Sequence, residues 1–132
     1  MSSGSELWFE EILEKENGHT FKIKIDNLIE RVDSKFQRIE VYETVPFGRM
    51  LVIDGVIMCT EWDEYAYHEM IAHVPMFTHR NPENVLVIGG GDGGTIREVL
   101  RHPEARRVDI CEIDGEVVRL SKKHLPTMSS SF

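Results

Sequence analysis

The sequence predicts an α/β chain in two parts: a small antiparallel β-sheet domain over residues 1–60, then the first part of a doubly wound parallel sheet over residues 61–132. Three observations carry this. Apolar and polar residues alternate through the first part, the period of a half-buried strand. In the second part apolar residues recur at helical spacing. There, too, Val85-Leu86-Val87-Ile88 runs straight into a glycine-rich turn. A continuous apolar run suits a strand buried on both faces, as in a parallel sheet.

Taken in order, Leu7-Trp8-Phe9 is an apolar cluster that opens the first strand, and Asn17-Gly18 marks a turn. Phe21, Ile23 and Ile25 alternate with Lys22, Lys24 and Asp26; Ile39 and Val41 alternate with Arg38, Glu40 and Tyr42. Met50-Leu51-Val52-Ile53 and Val56-Ile57-Met58 flank Asp54-Gly55, the strongest short hairpin signal. The turns imply roughly five or six strands. Thr60 with Asp63 three residues on resembles a capping box. Tyr67, Met70, Ile71 and Val74 then form one helical face, which Pro75 should weaken or kink. Asn81-Pro82 makes a turn before the buried strand. After Gly94, the residues Ile96, Val99 and Leu100 share a face, as do Val117, Val118, Leu120 and Leu125 in a last helix closed by Pro126. Two parallel strands cannot bury themselves between helix layers, and such sheets usually have about five or more strands. The polypeptide is therefore expected to be truncated. Met1–Ser5 reads as a flexible end.

The bulk properties narrow the function. The chain has 132 residues and a net charge of -8, which argues against nucleic acid or an anionic membrane as partner and is compatible with cationic substrates. Cys59 and Cys111 lie in apolar strand patterns without metal spacing and read as buried, reduced thiols; no metal is expected. No apolar run approaches membrane-spanning length and no leader opens the chain, so a cytoplasmic location is the default expectation.

The glycine turn carries the chemistry. Gly89, Gly91 and Gly94 fit G-x-G-x-x-G, a Rossmann-like fingerprint that is weak alone. A second strand, Arg107–Cys111, strengthens it by ending on Glu112 and Asp114. Carboxylates there commonly hold ribose hydroxyls; Glu112 is the better candidate, and Asp114 reads as a cap for the following helix. Asp92 sits where a dinucleotide would place its pyrophosphate. Its charge would repel phosphate and favour an amine or sulfonium, so the loop suits a cationic nucleoside better than NAD. The alternative for Asp92 is a helix cap. His68-Glu69-Met70-Ile71-Ala72-His73 nearly imitates H-E-x-x-H, but five positions turn a helix by about 500° and separate the imidazoles. Tyr67 and His68 stand near the domain junction, where core and hydrogen-bonded structural roles carry equal weight with ligand roles. Gln37 reads as a strand residue with nothing local to make it functional. Glu61, Asp63, Glu64 and Glu69 read as a solvated helix start.

The segment Val85-Leu86-Val87-Ile88-Gly89-Gly90-Gly91-Asp92-Gly93-Gly94-Thr95-Ile96-Arg97-Glu98-Val99 resembles the signature of the spermidine synthases, the polyamine aminopropyltransferases. Leu7-Trp8-Phe9, Phe36-Gln37-Arg38-Ile39, Leu51-Val52-Ile53-Asp54-Gly55-Val56, Asp63-Glu64-Tyr65-Ala66-Tyr67-His68-Glu69-Met70 and Ala72-His73-Val74-Pro75 follow the family's order. The resemblance implies a Rossmann-like, methyltransferase-type second domain. It also implies transfer of an aminopropyl group from decarboxylated S-adenosylmethionine, as co-substrate rather than cofactor, to putrescine or a related amine. Spermidine and methylthioadenosine would be the products. By the same resemblance Gln37 and Glu112 contact the nucleoside at the Gly89–Gly91 turn. Asp92, His68 and Tyr67 face the aminopropyl and polyamine chain, and Trp8 helps wall the amine site. A homodimer or homotetramer through the N-terminal sheet is expected. The family's catalytic aspartate, in a D-[ST]-x-[DE]-P loop, is absent and would lie beyond Phe132. Trp62 stands where the family usually has a basic residue. Two other classes remain: an S-adenosylmethionine-dependent amine N-methyltransferase on this scaffold, and a non-catalytic folding or oligomerisation fragment.

Overall fold

The computed structural model describes residues 6–132, so the end expected to be flexible, Met1–Ser5, lies outside the described residues. The chain forms two compact units, Met1–Trp62 and Asp63–Phe132.

The first unit is one sheet of five strands: β1 (Leu7–Glu10), β2 (Lys22–Asp33), β3 (Arg38–Thr44), β4 (Gly48–Ile53) and β5 (Val56–Thr60). They pair in chain order, each pair antiparallel. Asp54 and Gly55 take φ of 49° and 81°, the consecutive positive values of a primed hairpin turn, and so place Ile53 opposite Val56. The Asp54 carboxylate also accepts from the Arg38 N–H at 2.8 Å, tying the turn to β3. Strand β2 outruns the alternation seen at residues 21–26. Register shifts between Ile25 and Asn27 and between Leu28 and Glu30 interrupt the period, which is why the sequence pattern stops short. Phe9, Tyr42, Met50 and Val52 form the core, with Ile23, Ile25 and Ile57 packed on it. Beyond β1, the Ile12 N–H reaches the Gly55 carbonyl at 3.2 Å, and the Glu11 carboxylate accepts from the Ile57 N–H at 2.9 Å. The segment after β1 thus reaches the β4–β5 hairpin, and buried Glu11 satisfies a donor on an edge strand. Gln37 is not in a strand. It closes the β2–β3 turn, where Ser34 Oγ accepts from the Phe36 and Gln37 N–H groups.

The second unit comprises α1 (Glu64–Thr78), β6 (Asn84–Ile88), α2 (Gly94–Val99), β7 (Arg107–Cys111) and α3 (Gly115–His124). β6 and β7 are parallel and in register from Asn84 opposite Arg107 to Ile88 opposite Cys111. This strand–helix–strand–helix order is the start of a doubly wound sheet. Ala72, Met76 and Val99 form its core with Val85, Ala105 and Val108.

Several expectations need correction here. The buried stripe of α1 is Glu64, His68, Ala72 and Met76, at successive i, i+4 positions; Tyr67, Met70, Ile71 and Val74 are exposed. Half of that stripe is polar, so a search for apolar periodicity selects the wrong face. The N-cap position of α1 is Asp63, and Thr60 ends β5. The helix runs through Pro75 to Thr78. Only Val85 and Val87 of the apolar β6 run are covered; Leu86 and Ile88 lie on the other face and are exposed, as is Cys111, which pairs in register with Ile88. Leu100 is likewise exposed, whereas Ile96 and Val99 are buried. Val117, Leu120 and Leu125 are buried as the helical pattern predicts. Among the described residues no helix is long and apolar enough to cross a membrane.

Candidate functional site

The candidate site lies in the second unit, at the carboxyl ends of β6 and β7, where open α/β sheets place their ligands. β6 delivers the chain to Gly89, whose N–H bonds the Cys111 carbonyl at 2.9 Å and so fastens the turn to the end of β7. Glu112 follows directly. One of its carboxylate oxygens accepts from the Gly91 N–H and the other from the Asp114 N–H, each at 3.0 Å. A Cβ at Gly91 would stand 2.9 Å from both Glu112 Oε2 and Val117 Cγ1, so the absence of a side chain is what admits the carboxylate. Asp114 caps α3 as expected: its carboxylate accepts from the Glu116 N–H at 3.0 Å.

Asp92 combines the two roles considered for it. Its Oδ1 accepts from the Gly94 N–H at 2.7 Å, a cap-like contact at the start of α2. The same Oδ1 lies 3.2 Å from His68 Nε2. Both contacts fall on one oxygen, which leaves Oδ2 for another group. The Asp92 side chain is 18% exposed, so it is sheltered without being sealed.

His68 is sealed. Its side chain is 1% exposed, and its ring occupies the space where a Cβ on Gly94 would be. Nδ1 lies 2.6 Å from Glu64 Oε2. Glu64 is itself gripped by Arg97, with Nη1 to Oε1 and Nη2 to Oε2 both at 2.9 Å, the bidentate fork that suits a carboxylate. A continuous path therefore runs Arg97–Glu64–His68–Asp92. Nε2 is fully buried and, apart from its approach to Asp92, has no hydrogen-bond partner.

The charges follow from this packing. Burial opposes ionisation of Glu64, but Arg97 and His68 hold its carboxyl below the usual range. Burial likewise opposes the charge on Asp92, yet His68 and the Gly94 N–H bring its pKa down. Burial also disfavours the His68 imidazolium, and the flanking Asp92 and Glu64 overcome that and raise its pKa above the ordinary 6.5. The Glu64 fork raises Arg97 further.

The sequence-derived candidates divide accordingly. Gly89, Gly91, Asp92, Glu112 and His68 come together around one loop. Tyr67 is exposed beside His68, its ring edge-on with centroids 5.2 Å apart. Gln37, half-buried, and Trp8, exposed, belong to the first unit. Glu64 and Arg97 were not among the candidates. Glu64 is buried, not part of a solvated helix start; the i, i+4 spacing to His68 was the available signal. His73 diverges from His68 as the helix geometry requires: its Nδ1 lies 2.8 Å from His102 Nε2 and its Nε2 3.3 Å from Glu98.

Comparison with known proteins gives a consistent result. Residues 7–61 match the spermidine synthase tetramerisation domain and residues 64–132 the spermine/spermidine synthase domain. A polyamine aminopropyltransferase of Leptospira biflexa is 54% identical over 127 residues, covering 96% of this chain and 45% of that protein. One from Bacillus subtilis is 50% identical over 128 residues, covering 97% of this chain and 46% of that protein. A crystal structure of spermidine synthase in complex with the transition-state analogue AdoDATO superposes with a TM-score of 0.92 at 43% identity, covering 98% of this chain and 44% of that one. The spermidine synthase of Thermotoga maritima gives the same TM-score and identity. The chain spans a little under half the length of these relatives.

Proposed function

The chain belongs to the spermidine synthase family, and on that premise we propose that it contributes the co-substrate half of an aminopropyltransferase site. The reaction moves an aminopropyl group from decarboxylated S-adenosylmethionine to putrescine. The observation that carries this reading is Asp92: an ionised, sheltered carboxylate inside a glycine turn, with Oδ2 uncommitted. Such a group repels a pyrophosphate and attracts a sulfonium or ammonium.

Roles for the remaining residues follow. Glu112, held by the Gly91 and Asp114 amides at the end of β7, has the position to accept from ribose hydroxyls. The Gly89–Gly91 backbone lies under the nucleoside. Tyr67, beside His68, lines the amine side, and His68 acts on that side through Asp92. In the transfer, the neutral amine nitrogen attacks the carbon bonded to sulfur, the C–S bond breaks onto sulfur, and methylthioadenosine leaves. Alignment of the two reactants supplies much of the rate, and a base must take the ammonium proton. The sequence up to Phe132 lacks the D-[ST]-x-[DE]-P loop of the family's base. Association through the five-stranded sheet accompanies the activity, in keeping with the tetramerisation-domain match.

Calorimetry on the protein in the full form its gene encodes tests the reading. Decarboxylated S-adenosylmethionine and methylthioadenosine should bind, and NAD should not. Asp92→Asn should weaken the cationic ligand more than the neutral one. Glu112→Gln should weaken both, since charge-assisted hydrogen bonds are worth about 1.5–3 kcal/mol. Tight NAD binding without response to either nucleoside removes the proposal.

A further inference from the structure

Asp92 does not act as an isolated charge. Nδ1 of His68 lies 2.6 Å from Glu64, and both Glu64 oxygens also accept from Arg97, so Glu64 is an ionised acceptor and Nδ1 must carry a proton. On the other side of the ring, Nε2 lies 3.2 Å from Asp92 Oδ1. A lone pair there would face a carboxylate in a buried space. Protonation turns that repulsion into attraction. Both contacts therefore favour the protonated ring, a cation between two carboxylates. The titratable and charged groups facing it among the described residues are Glu64 and Tyr67 from its own helix, Asp92 from the glycine turn, and Arg97 from α2 through Glu64.

Arg97, Glu64, His68 and Asp92 then form one chain of alternating charge, extended at Arg97 by Glu98 and its partner Arg101. The negative field that a cationic ligand meets at Asp92 is reduced by the imidazolium directly behind it. We propose that Glu64 and Arg97 are positioning residues which keep His68 protonated, and that this proton sets how strongly Asp92 discriminates a cationic nucleoside from its neutral counterpart. The inference rests on the nucleoside reading above and adds a specificity determinant to it. His68 exerts its effect through Asp92, because its own ring is closed off by Gly94 and the helix.

The test measures the affinity ratio of decarboxylated S-adenosylmethionine to methylthioadenosine by calorimetry. It uses the native protein in its full encoded form, His68→Gln and Glu64→Gln, from pH 6 to 9. Removing a unit charge a few ångströms behind Asp92 should raise the preference for the cation about tenfold in His68→Gln, after allowance for solvent screening. Glu64→Gln should move the ratio the same way, by lowering the proton occupancy of His68. In native protein the ratio should climb as His68 loses its proton, whereas in His68→Gln it should stay level. Nitrogen-15 NMR of native His68 provides the second measurement: both ring nitrogens should carry protons at pH 7. A neutral native imidazole, or a ratio unchanged or lowered in His68→Gln, overturns the inference, and the NMR result decides it if the variants do not fold. If the native protein binds neither nucleoside, the functional reading falls and the inference with it; binding of both with an unmoved ratio sinks the inference alone.

Discussion

Gly94→Ala isolates the packing that holds the site together. Gly94 opens α2 with an ordinary helical backbone, so alanine there should by itself stabilise the helix by about 1 kcal/mol. The structure reverses that sign. The added Cβ overlaps the His68 ring, and His68 is fully buried. Overpacking of a filled site costs about 1–3 kcal/mol. Displacing the ring also breaks its bond to Glu64, and hydrogen bonds to charged groups are worth about 1.5–3 kcal/mol. Set against the propensity gain, the net loss is about 1.5–5 kcal/mol. Urea denaturation should show the second unit weakened by that amount, and hydrogen exchange should show the α1 and α2 amides losing protection. The double variant Gly94→Ala with His68→Ala supplies the control, since the alanine ring-deletion vacates the contested space. A coupling of at least about 1 kcal/mol should return. A neutral or stabilising Gly94→Ala, or a penalty undiminished in the His68→Ala background, would refute the reasoning.

Three further outcomes are expected. The lowered pKa values of Glu64 and Asp92 contribute stability above their ordinary values of 4.5 and 3.8, and this is lost as pH falls through the folded-state values; the raised pKa of His68 contributes below 6.5 and is lost as pH rises through its folded-state value. Urea midpoints should therefore decline on both sides of the weakly acidic range, and His68→Gln should flatten the alkaline side. Asp114→Ala should cost about 1 kcal/mol by removing the α3 cap, measured as a lowered urea midpoint, with Asp114→Asn recovering most of it. Residues 1–132 made alone should show no aminopropyl transfer and should self-associate in sedimentation velocity, because Leu86 and Ile88 leave one face of the parallel pair uncovered.

Much of the fold was legible because its signals are local. Asp54-Gly55 specified a hairpin by the backbone angles it tolerates, and the apolar run into the glycines specified a strand followed by a helix. Asp92 and Glu112 were legible as ligand candidates from their place after two strands. What stayed hidden depends on partners distant in sequence. The continuation of β2 to Asp33 passes through register shifts that erase its period. The true inner face of α1 was obscured because buried Glu64 and His68 find their partners in Arg97 and Asp92, 33 and 24 positions away. A hydrophobic pattern cannot register a buried ion pair, since its members read as surface residues when taken singly. Cys111, Leu86 and Ile88 illustrate the converse: apolar character predicts burial only where the chain supplies cover, and the described residues leave the sheet face they share exposed.

The glycine turn also shows that one motif can rest on different physics. G-x-G-x-x-G in a dinucleotide site is explained by a tight turn, by close approach of backbone to pyrophosphate, and by helix–strand packing. Here the second glycine leaves room for the Glu112 carboxylate, and the last leaves room for the His68 ring. Each absent side chain admits a site residue of the protein itself. Asp92, between them, fills with negative charge the place that a phosphate would need. The intervening Gly93 has φ of 90° and a Cβ position 2.8 Å from the Ser129 Cα, so it is constrained both by conformation and by the turn after α3. Three glycines are thus fixed by three separate neighbours: a carboxylate, an imidazole and a backbone turn. Replacing any one with alanine displaces a different partner. This is why the motif fits the dinucleotide pattern letter by letter while its glycines answer to neighbours within the protein itself.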